Sequence, residues 1–107
     1  MRILEDAGRF TSSDEPNHWV EHFRNDDLSV GTYSIPAGSV DDQTPHTEDE
    51  IYVVIGGRAR IAAGIDSAPV GPGSVVFVPA GEDHRFTDIT EDLAALVFFA
   101  PPEGSRA

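Results

Sequence analysis

The stretch PHTEDEIYVVIGG, residues 45–57, places a histidine and three acidic residues ahead of a hydrophobic run that ends in two glycines. Side chains alternate between the two faces of an extended strand, so residues of equal parity share a face. The even-numbered positions comprise His46, Glu48, Glu50, Tyr52 and Val54. Imidazole and carboxylate groups on one face are suitable ligands for a transition metal. The stretch therefore predicts a strand that carries part of a metal site.

The length and charge of the chain limit its organisation and its partners. A chain of 107 residues has room for one hydrophobic core, which predicts a single domain over residues 1–107. Acidic residues outnumber basic ones 19 to 7, for a formal net charge of -12. Such a surface repels phosphate backbones and anionic lipids, so nucleic-acid and membrane partners are not expected.

The chain contains no cysteine and no lysine, since all seven basic residues are arginine. Disulfides, thiolate metal sites, Schiff-base chemistry and a P-loop lysine are thereby excluded. The opening residues, MRILEDAGRF, have acids where a signal peptide needs an apolar core. The apolar run at 94–100 is too short to span a bilayer. These features predict a soluble, cytoplasmic protein.

Short segments rich in Val, Ile, Phe and Tyr, separated by glycine and proline, favour an all-β protein over a helical one. The predicted strands are 19–23, 28–35, 51–55, 58–62, 75–78, 85–87 and 94–99. The run DLAALVFF, residues 92–99, also fits a buried helix, but its β-branched and aromatic end favours a strand buried on both faces. The final EGSRA, residues 103–107, has the composition of a frayed tail.

Two glycine-anchored frames follow one another in the middle of the chain. The first runs Gly, five residues, a ligand position, one residue, His, three residues, Glu, six residues, Gly, and is filled by Gly38, Thr44, His46, Glu50 and Gly57. The second runs Gly, five residues, Pro, one residue, Gly, two residues, His, three residues and a last polar position, filled by Gly73, Pro79, Gly81, His84 and Asp88. Both frames resemble the two motifs of the cupin superfamily, with Thr44 in place of a histidine and Asp88 in place of an asparagine.

The resemblance implies a double-stranded β-helix, or jelly-roll barrel, with a metal between the two motif strands. It carries the metal-ligand role over to His46, Glu50 and His84, while Thr44 stands at the fourth ligand position. Gln43 or Glu48 would supply a compensating oxygen, although Glu48 and Asp49 are more simply explained as solvent-facing acids. Iron, zinc, manganese and nickel all accept two histidines and one carboxylate, so the sequence does not choose the metal.

Other polar and aromatic residues are weaker candidates for the site. Glu50 and Tyr52 are the candidate catalytic residues, with Tyr52 donating a proton or a hydrogen bond. His18 and His22 are four residues apart, but their apolar neighbours favour a strand over a helical metal pair. Remaining candidates are Trp19 and Phe23 as core or dimer contacts, and Arg58, Arg60 and Arg85 as partners of a substrate carboxylate or of surface acids.

Three classes of function remain open. The first is a metal-dependent enzyme, dioxygenase-like or isomerase-like, that acts on a small organic substrate. The second is a non-catalytic module that binds a small molecule such as a sugar or a carboxylate. The third is a scaffold that acts through its surface. A homodimer is expected, because small barrels of this type often bury open sheet edges against a second copy.

Overall fold

The computed structural model describes residues 1–107 and contains six β-strands and no α-helix. The strands are β1 (His18–Arg24), β2 (Ser29–Ile35), β3 (Asp49–Ala63), β4 (Asp66–Val70), β5 (Val75–Val78) and β6 (Arg85–Ala100). The protein therefore belongs to the all-β class that the sequence predicts. None of its elements is a helix long and apolar enough to cross a membrane.

All strand pairs are antiparallel, in the order β1-β2-β6-β3-β4, with β5 also paired to β3. The two long strands β3 and β6 pair with each other along most of their length and bend the sheet around one core. On its other edge, β3 pairs first with β5 and then with β4. The cross-strand partners of Glu50 are Phe99 on β6 and Val78 on β5, so the start of β3 is held from both sides.

Every predicted strand lies within an observed strand apart from Leu28, which comes just before β2, but the segmentation differs. The predicted strands at 51–55 and 58–62 form the single strand β3, and those at 85–87 and 94–99 form β6. The two glycines at 56–57 lie within β3, where the register against β6 shifts repeatedly between Val54 and Arg60. They therefore mark bulges in a continuous strand rather than a turn.

Gly57 occupies one of these bulges, where two strands approach closely. Its φ is 88°, in the left-handed region, and an added Cβ would lie 2.1 Å from the carbonyl oxygen of Asp92. No other residue fits that position without moving β6. Positive φ values occur at all the glycines of the two sequence frames, Gly38, Gly57, Gly73 and Gly81, and at Asp88.

The prediction that residues 92–99 are buried on both faces is correct only for the first part of the segment. Residues Leu93 to Ala95 are all buried, but beyond them burial alternates, and Phe98 is 38% exposed. The outer face of the sheet is uncovered there, since its neighbours Ile51 and Phe77 are also exposed. The inner face of this segment contributes Val97 and Phe99 to a core cluster of 14 residues.

The C-terminal segment does not fray as predicted, because Glu48 binds it. The backbone N–H groups of Gly104 and Arg106 donate to the two Glu48 carboxylate oxygens at 2.8 and 3.1 Å, and the Thr47 hydroxyl also donates to this carboxylate. Glu48 is 1% exposed, so the expectation of a solvent-facing acid is wrong for this residue. Its oxygens are engaged by the chain itself, which separates Glu48 from any metal site. Asp49 is exposed, as predicted.

Candidate metal-binding cavity

A cavity of about 190 Å³ opens at the end of the barrel where β3 begins. Its walls combine aromatic rings with polar groups from several strands. The aromatic residues are Trp19, Tyr33, Tyr52 and Phe99, and the central polar ones are Gln43, His46 and Glu50. Glu50 and Tyr52 lie on the inner face of β3, as their equal parity predicts, and both are buried there.

Glu50 and His84 form a buried pair at the base of this cavity. Oε1 of Glu50 lies 2.7 Å from Nε2 of His84, and each residue is 2% exposed. Glu50 comes from β3, and His84 immediately precedes β6. The two sequence frames therefore meet at these residues.

The hydrogen bonds of His84 fix its orientation. Its Nδ1 lies 2.8 Å from the carbonyl oxygen of Glu82, which can only accept, so Nδ1 carries a proton. Its Nε2 faces the Glu50 carboxylate and lies 2.9 Å from the Tyr52 hydroxyl. Burial lowers the pKa of His84, but the Glu50 carboxylate and the Glu82 carbonyl together outweigh it and raise the pKa above its ordinary value.

The Glu50 carboxylate lacks the hydrogen bonds that a buried charge requires. Despite the short approach of His84, neither oxygen of Glu50 has a hydrogen-bond partner of suitable geometry. An unpaired carboxylate is costly to bury, so a positive charge is needed between it and Nε2. Either a second imidazole proton or a metal ion meets that requirement. The donor set, one carboxylate and one imidazole nitrogen, suits iron, zinc, manganese or nickel.

Tyr52 and Gln43 belong to a hydrogen-bonded chain that ends at Asp41. The Tyr52 hydroxyl donates to Oε1 of Gln43 at 2.9 Å, and Nε2 of Gln43 donates to Asp41 at 2.6 Å. Asp41 also accepts from the Tyr33 hydroxyl at 2.7 Å and from the backbone N–H of Phe86 at 2.8 Å. These bonds fix the direction of the Gln43 amide and of the Tyr52 hydroxyl.

Both tyrosines of the cavity remain protonated at neutral pH. Burial and the nearby Glu50 carboxylate raise the pKa of Tyr52, and burial and Asp41 raise the pKa of Tyr33. Tyr52 is therefore a hydrogen-bond or proton donor, not a phenolate base. Sequence reasoning missed Asp41, because nothing in the loop composition of residues 39–45 distinguishes it from the exposed Asp42.

His46 lines the cavity beside the buried pair. Its ring centroid is 6.1 Å from that of His84, and its Nδ1 lies 3.6 Å from a carboxylate oxygen of Glu103. Burial raises the pKa of Glu103, although His46 opposes the shift. No group of three or more His, Cys, Asp or Glu side chains is arranged as a metal cluster. The structure thus brings Glu50 and His84 into contact and leaves His46 beside them.

Several other sequence candidates lie outside the cavity. Thr44 is exposed, and Arg58 pairs with Glu91 at the surface. His18 and His22 lie on β1, with His22 Nε2 2.6 Å from the Thr32 hydroxyl, so they form no helical pair. Trp19, predicted as a core or dimer contact, packs against the core and also lines the cavity.

Comparison with known sequences identifies a family. The cupin-domain family model matches residues 31–100, which include both sequence frames. The uncharacterized protein SCO3923 of Streptomyces coelicolor is 48% identical over 85 residues, covering 79% of this chain and 81% of that protein.

Solved structures extend the likeness to the fold. A Klebsiella pneumoniae protein with a double-stranded β-helix domain superposes with a TM-score of 0.78, at 15% identity over 94% of this chain and 89% of that one. The DMSP lyase DddQ of Ruegeria pomeroyi gives 0.74, at 24% identity over 92% of this chain, which spans only 54% of that protein. The predicted double-stranded β-helix is confirmed, and the chain is a member of the cupin family.

Proposed function

We propose that this cupin is a metal-dependent enzyme that acts on a small organic molecule in the barrel cavity. Members of the family commonly bind metals, and the structurally similar DddQ is by name a lyase. The proposed reaction classes are oxygenation and isomerisation, since a metal held by Glu50, His84 and His46 would leave coordination positions open for substrate.

One observation carries the proposal: a buried Glu50 carboxylate with no well-aligned hydrogen bond, 2.7 Å from a histidine nitrogen. Because the carbonyl of Glu82 holds the proton on the other ring nitrogen, Nε2 is available as a metal ligand. Burying such a carboxylate without a cation costs several kcal/mol, on the order of 3–5 kcal/mol when its partner is removed. A metal ion bound by Glu50 and Nε2 would supply this positive charge in place of a second imidazole proton.

Glu50 and His84 would hold the metal, and His46 would add a third ligand from the cavity wall. The bound ion would supply a Lewis acid that polarises a substrate oxygen. Tyr52 stays a protonated phenol, because burial and the nearby Glu50 carboxylate raise its pKa, and its hydroxyl lies 2.9 Å from His84 Nε2 while donating to Gln43. A substrate oxygen at this point would compete with Gln43 for that proton. Gln43 orients that hydroxyl, since its amide is itself held by Asp41.

Metal analysis of untagged protein tests the proposal directly. We expect close to one equivalent of a transition metal in the wild-type protein and its loss from Glu50→Gln and His84→Ala. The matched control is His18→Ala, which removes an imidazole from β1 outside the cavity. Acidification through the histidine range, around pH 6.5, should release the metal, because the ligand nitrogen must be unprotonated.

Metal content that is absent from the wild type, or unchanged in Glu50→Gln and His84→Ala, would contradict the proposed centre. Turnover then separates the enzyme from a binding module. An enzyme should consume substrate or dioxygen only when loaded with metal. A module without catalysis would instead show ligand-induced thermal stabilisation that does not depend on metal.

Association into a homodimer is a second part of the proposal. Ile51, Phe77 and Phe98 are cross-strand neighbours on the outer face of β3, β5 and β6, and are 39%, 60% and 38% exposed. Val75 and Ile55 extend this apolar face at 65% and 47% exposure. The net charge of the chain is -12, so a basic partner would bind its acidic surface rather than this apolar face. An uncharged apolar face instead suits contact with the same face of a second copy.

A further inference from the structure

The lining of the cavity carries no arginine, although the chain has seven. Arg9, Arg24 and Arg58 pair with acidic residues on the surface. Arg24 also donates to the main-chain carbonyl of Glu103, but its guanidinium is held by Glu21 at 2.9 Å. A carboxylate or phosphate ligand would therefore find no arginine to pair with inside the cavity.

Three carboxylates line the same cavity: Asp42, Glu50 and Glu103. Glu50 is the buried group whose two oxygens lack hydrogen bonds, and Glu103 is only partly exposed. A divalent ion held by Glu50 would leave one net negative charge, because its two positive charges oppose three negative ones. The cavity is thus negative with or without the metal, and it attracts cations in both states.

Aromatic rings form the rest of the wall. Trp19 stands edge-on to Tyr33 and Phe99, with centroid distances of 6.4 and 6.1 Å and interplanar angles of 73° and 81°. The indole lies over Gly31, where an added Cβ would come within 2.3 Å of the ring, so only glycine leaves room for it. Aromatic faces attract cations through the negative charge of their π systems.

The volume of the cavity suits a small molecule. A volume of about 190 Å³ has room for several water molecules. A compact ammonium group with a short polar arm fits this space. The polar arm would meet the Tyr52 hydroxyl at the base of the cavity.

We propose that the ligand of this cavity is a small organic cation, held between the aromatic wall of Trp19, Tyr33 and Phe99 and the carboxylates Asp42 and Glu103. This inference names the substrate class of the proposed function and rests on the same cavity. It concerns the charge of the ligand and not the metal, so the two are tested separately.

Three probes of matched shape test the charge requirement: choline, its uncharged analogue 3,3-dimethylbutan-1-ol, and the anion 3,3-dimethylbutanoate. Trp19 is the only tryptophan, so its fluorescence reports occupancy of the cavity directly. We expect choline to bind at least about tenfold more tightly than the alcohol, and the anion to bind most weakly. Equal binding of choline and the alcohol, preferred binding of the anion, or no binding of choline overturns the inference.

Two variants locate the interaction. Glu103→Gln should weaken choline binding by about fivefold or more while leaving the affinity for the alcohol almost unchanged. Glu91→Gln makes the same change of charge on the surface, where Glu91 pairs with Arg58, and is the matched control. Equal effects of both variants would assign the attraction to the net charge of the protein and overturn the cavity as its source.

Titrations are run on metal-loaded and on metal-stripped protein. Selective choline binding by protein that never takes up metal would leave the cation inference standing and contradict the proposed metal centre. Stoichiometric metal without selective choline binding would support the proposed metal centre and contradict the cation inference. The two failures are therefore distinguishable.

Discussion

Glu48 holds the C-terminal segment at the start of β3 by accepting hydrogen bonds from the backbone N–H groups of Gly104 and Arg106. The same carboxylate accepts a hydrogen bond from the Thr47 hydroxyl. Burial raises the pKa of Glu48, but these hydrogen bonds outweigh it and lower the pKa below its ordinary value. A carboxyl whose pKa is lower in the folded state stabilises the fold above its unfolded pKa. That contribution is lost as the pH falls from about 4.3 through the folded pKa.

Replacing Glu48 with glutamine removes the charge and points an amide at a backbone donor. We expect Glu48→Gln to cost about 1–3 kcal/mol of unfolding free energy at pH 7, measured by urea denaturation. The cost should shrink toward pH 3, where the wild-type carboxyl becomes protonated. Asp66→Asn, at an exposed position in β4, is the control. A cost for Glu48→Gln that stays constant from pH 7 to pH 3 would argue against a charge-dependent contact.

Asp88 has a backbone conformation that explains its place in the second sequence frame. Its φ is 49°, and its side chain is exposed. Asparagine and aspartate tolerate this left-handed region better than most other residues, so the departure from the family asparagine is mild. We expect Asp88→Asn to be neutral and Asp88→Ala to cost ~1 kcal/mol, or about 4–8 °C in melting temperature. An alanine variant as stable as the wild type would show that this position is not strained.

The residues of the site differ in how readily a sequence predicts them. Glu50 and Tyr52 follow from strand parity, and His84 follows from spacing in the second frame. Asp41 and Glu103 do not, because each lies in a loop or tail whose path is set by tertiary contacts. Their roles depend on neighbours that are distant in the chain, as the bond from Phe86 to Asp41 illustrates.

At the scale of elements, the bulge at Gly57 allows β3 to continue past two glycines. Gly57 and Gly64 both have positive φ, but only Gly57 would clash, since nothing lies within 4 Å of an added Cβ at Gly64. We expect Gly64→Ala to cost ~1 kcal/mol and Gly57→Ala about 2–4 kcal/mol. Thermal unfolding of the pair isolates the clash from the backbone strain. Similar losses in both variants would show that β6 yields easily at the bulge.

The strands that sequence reasoning found are those with apolar, β-branched residues on a buried face. It missed β4, whose sequence DSAPV contains a proline and an acid and is exposed except at Val70. This strand pairs with β3 on one side only, so Pro69 is accommodated at an edge of the sheet. Local composition does not predict a strand that forms only because it pairs with a neighbouring strand.

Several exposed apolar side chains of this acidic molecule are neighbours on one face of the sheet. The net charge of -12 keeps copies of the chain apart except where a surface carries no charge. The exposed Ile51, Phe77 and Phe98 side chains form such a surface on the outside of the barrel, away from the cavity-facing Glu50 and Tyr52. Association through it would leave the cavity of each copy open to its ligand.

Phe77→Asp places a charge at the centre of this apolar face and, in a dimer, brings two like charges together. We expect the wild type to sediment as a dimer and Phe77→Asp as a monomer, measured by analytical ultracentrifugation over a range of concentrations. Phe77 is 60% exposed, so the free monomer should remain folded. Ile65→Asp, at a fully exposed turn position, controls for the added charge. A monomeric wild type would show that this face is not an interface. Dissociation by Ile65→Asp as well would show the same, because the two substitutions add the same charge and only Phe77 would be buried in the proposed contact.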